Sequence, residues 1–165
     1  MSITTKPIAQ APLNYQTKVM GLPGPAIHTT VTLRNDTDDG LTLYDHKDWY
    51  GSADHPQVIQ PQLSEQIKHK ADPQTGCSKG GVAYTIKNNI RWVVAWTNMK
   101  DEYNKVYVNI IEEDGKIDWD SYRTLLNTSS SSPVCVYKYE HAAVANIDPS
   151  SVKPLAKAAL GPATV

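Results

Sequence analysis

The groups in this chain best suited to move a proton or hold a metal ion are concentrated in one stretch, where Asp45, His46, Asp48, Asp54 and His55 combine imidazole with carboxylate. Imidazole titrates nearest neutral pH, so His46, Asp48 and His55 are the acid-base candidates of an enzymatic reading. The same donors suit a borderline metal ion, yet their spacing matches no zinc or iron motif and nothing orders them into a triad. No metal, cofactor or catalytic residue is therefore assigned, and an enzyme is the less favoured class. Upstream, Asp36, Asp38, Asp39 and Gly40 begin like a calcium loop. The acidic ligand expected six residues after the glycine is replaced by His46, so a hairpin turn is the better reading.

A second set of residues offers binding chemistry. The chain has nine Tyr, four Trp and no Phe, so every large aromatic ring carries a polar handle and suits a half-wet surface. Trp49 and Tyr50 are adjacent, and Tyr103 and Tyr122 lie beside other candidate loops. Rings of this kind form platforms on which sugar rings or lipid headgroups stack.

Composition removes other classes. Sixteen basic against seventeen acidic residues in 165 give a formal charge of -1 with no basic run, which argues against nucleic acid as a partner. There is no phosphate-binding glycine loop, nucleophile elbow or Cys-x-x-Cys pair. No run approaches the ~20 apolar residues of a spanning helix, so any membrane contact is expected to be peripheral. The amino terminus lacks the apolar core of a signal peptide, which points to a cytoplasmic or nuclear protein with Cys77 and Cys135 as free thiols. The glycosylation sequons at Asn35 and Asn127 are expected to stay unmodified for the same reason.

The scaffold that carries these groups reads mainly as strands. Ile90 to Asn98 is the longest near-continuous apolar run, with Trp92, Val94 and Trp96 on one face and Val93, Ala95 and Thr97 on the other. Both faces ask for cover, so it reads as a central strand. Alternation predicts further strands from Ile27 to Arg34, Leu41 to Tyr50, Gly80 to Ile86, Val106 to Ile111, Val134 to Tyr139 and Ala142 to Ile147, with a polar edge strand from Ser64 to Lys70. Asn88-Asn89 forms a tight turn. Asp118 caps a short helix whose Trp119, Tyr122, Leu125 and Leu126 share one side, and this helix is expected to pack across one end of the strand layers. The fold class is thus all-β with one short helix, a β-sandwich. Residues 1–26, which contain four prolines, read as an extended arm, 27–149 as the sandwich, and 150–165 as a mobile or weakly helical tail.

Taken together, Gly80-Gly81-Val82-Ala83-Tyr84, Trp92-Val93-Val94-Ala95-Trp96-Thr97-Asn98, Asn104-Lys105-Val106-Tyr107 and Trp119-Asp120-Ser121-Tyr122 followed by Leu125 resemble the plant jasmonate-induced protein family of the small cereal type. More distantly, the order of strand, glycine-rich hairpin, aromatic strand, acidic loop and Tyr-bearing helix is similar to the actinoporin and fungal fruit-body lectin group. That resemblance implies a sandwich that binds lipid headgroups or glycans. It places Ser52, Val82, Thr97, Tyr103 and Tyr122 where the cytolysins build a headgroup pocket. Leu126 and Asn127 stand where those proteins present tyrosines, which argues against choline, and the proline-broken arm is unlike a pore-lining helix.

The expected function is a non-catalytic, stress- or defence-associated binding protein for a glycan or lipid headgroup. A membrane-damaging protein is the alternative. The ligand residues are expected to be Trp49, Tyr50, Ser52, Thr97, Tyr103 and Tyr122, and all of these but Ser52 are expected to line one shallow groove.

Overall fold

A computed structural model describes residues 26–163. The arm expected over residues 1–26 therefore lies outside the described residues except for Ala26, which is buried and donates its N–H to Gly76 O at 2.7 Å.

Strands β1 (His28–Asn35), β2 (Leu41–Tyr50), β3 (Val58–Ile59), β4 (Ser64–Lys70), β5 (Ser78–Lys87), β6 (Ile90–Asn98) and β7 (Lys105–Glu112) precede helix α1 (Trp119–Asn127). Strands β8 (Val134–Lys138), β9 (His141–Ile147) and β10 (Leu155–Pro162) follow it. They form two five-stranded sheets, ordered β4-β1-β10-β9-β8 and β3-β2-β5-β6-β7. The chain is a β-sandwich. Strand β6 lies between β5 and β7 and buries both faces, as its apolar run demands. Trp92, Val94 and Trp96 enter the core between the sheets with Val31, Leu33, Ile67, Val82, Tyr84, Val108 and Leu160. Strand β4, the polar one, is indeed an edge, and it turns only Ile67 and His69 inward.

Two expectations are corrected. Leu155–Pro162 is a strand rather than part of a loose tail, running parallel to β1 and antiparallel to β9. Its inward residues Ala156, Ala158 and Leu160 keep the period of two, and small side chains let it fit between two neighbours. The helix does not lie across one end of the sandwich. It covers the outer face of the second sheet, where Trp119 and Tyr122 pack with Ala83, Val93 and Ile117. Gly81 is the reason it can come so close: a Cβ there would stand 2.5 Å from Trp119 Cζ3. Asp118 caps the helix through its side chain and Ser121 N, as expected, but Leu125 is exposed. At 100° per residue it sits at the margin of the stripe that Trp119, Tyr122 and Leu126 bury.

Polar groups also join the sheets. Thr29 Oγ1 on β1 lies 2.9 Å from Ser78 Oγ on β5, and Asn98 Nδ2 on β6 donates to Thr29 Oγ1 and to Val152 O, each at 3.3 Å. All three side chains are buried, so these bonds fix how one sheet sits on the other.

Candidate functional site

Strand β2 places most of the chemistry, and two bulges in it decide where each side chain faces. The register slips once between Leu43 and Asp45 and again between Asp48 and Tyr50. A bulge puts two successive residues on nearly the same side. Tyr44 therefore packs on the outer face while Asp45, next to it, accepts from Trp119 Nε1 at 2.9 Å on that face as well. His46 and Asp48 turn toward the seam between the sheets. Trp49 and Tyr50 then both return to the outer face, Trp49 edge-on to Trp119 at 6.0 Å and Tyr50 accepting from Arg123 Nη2 at 3.2 Å.

At this end of the outer face the strands align Tyr50, Lys79, Thr97 and Lys105 in one row across β2, β5, β6 and β7. Arg123 of the helix stands over the row, its guanidinium 5.7 Å from the centre of the Tyr50 ring. The Lys79 ammonium lies 5.8 Å from the centre of the Trp49 ring. Lys79 is only 6% exposed, and no carboxylate among the described residues comes within 4.0 Å of its ammonium. Burial first, and then the nearby Arg123 charge, hold its pKa below that of an ordinary lysine, with Glu102 opposing. Lys105, by contrast, is partnered: it donates to Asn127 O at 3.0 Å and stands 3.9 Å from Glu102. The indole N–H of Trp49 is buried and has no acceptor among the described residues. The site can therefore accept an anion, since two cations, aromatic faces and a free N–H donor meet there.

The six residues expected to bind ligand divide between three places. Trp49, Tyr50 and Thr97 share this cationic end, Thr97 only 5% exposed, and the loop carrying Tyr103, itself 50% exposed, joins β6 to β7 at the same end. Tyr122 is buried beneath the helix, and its hydroxyl accepts from Asn109 Nδ2 at 3.3 Å beside a separate groove of about 430 Å³ lined by Lys138 and Tyr139. Ser52 sits on the sandwich edge, where its backbone pairs with Lys70 through N–H···O bonds of 3.1 and 2.8 Å. Gly51 permits that approach, because it has φ +100° and any Cβ would meet Lys70 O at 2.1 Å. Lys79, Arg123 and Lys105 escaped sequence reasoning. Each is an isolated cation in the chain, and only strand register and helix placement bring them together.

The acid-base candidates occupy the seam. His46 and His55 stack with ring centres 4.1 Å apart, and Asp48 Oδ2 lies 3.8 Å from His46 Nδ1. Asp48 Oδ1 bonds to His69 Nε2 at 2.8 Å, and His69 Nδ1 to Ser78 Oγ at 2.8 Å. An Asp-His-Ser relay has the members of a hydrolase triad, but Ser78 and His69 are wholly buried and Ser78 is spent on Thr29 and His69 O. No substrate carbonyl can reach that hydroxyl, so the relay ties the sheets together. Burial pushes the pKa of His69 below the usual imidazole value against the pull of Asp48, and burial followed by His46 does the same for His55.

No family model matches the sequence, and no curated protein matches it. The resemblance to the jasmonate-induced family thus gains no support from family models. Solved structures do match. The lipid-binding protein Nakanori has 15% identity and a TM-score of 0.74 over 84% of this chain and 72% of its own. RahU, solved in complex with a TRIS molecule, has 7% identity and a TM-score of 0.59 over 86% of this chain and 99% of its own. IP-1A from Alcaligenes faecalis has 8% identity and a TM-score of 0.57 over 85% and 94%. At these identities the likeness is one of fold, and it places the chain among β-sandwiches that include a lipid-binding protein.

Proposed function

We propose that this chain is a non-catalytic lipid-headgroup-binding protein, and that the phosphate of the headgroup is received at the cationic end of the outer face by Lys79 and Arg123, beside Trp49, Tyr50 and Tyr103. The observation that carries the reading is the Lys79 ammonium, nearly buried against Trp49 with no carboxylate partner among the described residues. Desolvating a cation without a counter-ion costs free energy, and a bound phosphate offsets that cost. Trp49 and Tyr50 supply the amphipathic rings that suit the boundary between lipid and water. The fold shared with a lipid-binding protein supports the same ligand class. A neutral glycan would leave the lysine uncompensated, so glycan binding is the lesser reading.

The test is co-sedimentation of the full chain with phosphatidylcholine vesicles, with and without added anionic phospholipid, beside a glycan array on the same preparation. Vesicle binding that inorganic phosphate weakens is expected. Binding to uncharged glycans with none to either vesicle would overturn the proposal. Dye trapped in the vesicles reports on the membrane-damaging alternative, and its retention is the expected result.

A further inference from the structure

A second feature lies outside the headgroup site. At the seam of the two sheets one donor atom from each of His46, Asp48 and His55 lies within 4.8 Å of the other two. We propose that these three residues form a site for a divalent transition-metal ion of the zinc type, with open positions for water or an outside ligand. Two imidazoles and one carboxylate are a borderline donor set, which suits zinc, cobalt, nickel or copper and disfavours calcium or magnesium.

Three observations support the site beyond proximity. Between its two bulges β2 is regular, so His46 and Asp48, two residues apart, face the same side, and the loop after Gly51 returns His55 to them. Asp48 is oriented from behind: His69, itself held by Ser78, bonds Oδ1 and leaves Oδ2 turned to His46. Support of a ligating carboxylate by a buried hydrogen bond is how proteins preset metal ligands. Finally, His55 Nε2 is shut off from water and has no partner among the described residues, so the imidazole carries unused bonding capacity. Donors around tetrahedral zinc stand about 3.3 Å apart. The donors lie at most 4.8 Å apart, so closing to that distance needs a movement of no more than about 1.5 Å, in which the exposed His46 ring leaves its stack on His55. The sequence spacing hid the site because its geometry depends on the bulges and the loop return.

The experiment titrates the full-length chain with Zn²⁺ by calorimetry and with Co²⁺ by visible absorption, in the parent, His46→Ala, His55→Ala and Cys135→Ser. Asp48 is left intact because it also bonds His69. One equivalent of metal is expected in the parent and in Cys135→Ser, with about tenfold or greater loss of affinity in each histidine variant and no strong thiolate band with cobalt. Near-ultraviolet circular dichroism checks that the variants stay folded; His46 is exposed, so its variant keeps the test valid if His55→Ala does not fold. No binding by the parent, or parent-like binding by folded His46→Ala, would overturn the proposal. So would loss of binding in Cys135→Ser. Vesicle binding is a separate readout, so failure here leaves the headgroup reading untouched.

Discussion

His69 Nε2 and Asp48 Oδ1 lie 2.8 Å apart, and the bond between them crosses from the edge strand of one sheet to a bulged strand of the other. Through Ser78 the link continues to Thr29, and Thr29 also accepts from Asn98, so one buried polar chain runs along the seam. Replacing His69 with Phe removes the ring's bonds to Asp48 Oδ1 and to Ser78 Oγ, while Ser78 keeps Thr29 and the His69 carbonyl. The expected cost is roughly 1 to 3 kcal/mol, read as a lowered urea midpoint with unchanged slope. An unchanged midpoint would mean that the seam contributes nothing.

The core makes a larger prediction. Trp96 is fully buried between the sheets, with His69 edge-on at 5.3 Å. Trp96→Ala is expected to cost about 3 to 5 kcal/mol, again measured in denaturant.

The two cysteines are expected to react very differently. Cys77 is buried and Cys135 exposed, and both are free thiols. A thiol reagent should label Cys135 of the native protein quickly and Cys77 only on unfolding. Equal, fast labelling of both would show that the segment before β5 opens readily.

Much of this arrangement was legible in the residues. The two-residue period marked β1, β5, β6 and β7, and the apolar outer residues Val93 and Ala95 showed that β6 needed cover on both faces. Asp118 announced the helix that helps to provide it. Strand β10 was hidden because alanine carries little strand preference, and its partner β1 lies more than a hundred residues away in sequence. The cationic row was hidden for a different reason. Lys79, Thr97 and Lys105 become neighbours only through register, and Trp49 joins Tyr50 on one face only through a bulge, which periodicity cannot foresee.

Protonation of Lys79 supplies a pH test of the headgroup site. Its pKa lies below 10.5 because the charged form is desolvated and repelled by Arg123. A bound phosphate favours the charged form and raises that pKa, so binding takes up protons between the free and bound values. Affinity for phospholipid vesicles should therefore fall as pH rises through Lys79's depressed pKa, before ordinary lysines titrate near about 10.4. Vesicle affinity that stays flat from neutral to about pH 10 would contradict this.

Headgroup binding turns on the uncompensated ammonium of Lys79, and Lys79→Met removes that charge while keeping most of the side chain's length and its apolar stem. Equilibrium binding of the parent and the variant to phosphatidylcholine vesicles, with thermal melting measured alongside, is the deciding measurement. At least about tenfold weaker binding is expected from a variant whose melting temperature is unchanged or higher, because a desolvated cation has been removed. A folded variant that binds the vesicles as tightly as the parent would contradict this.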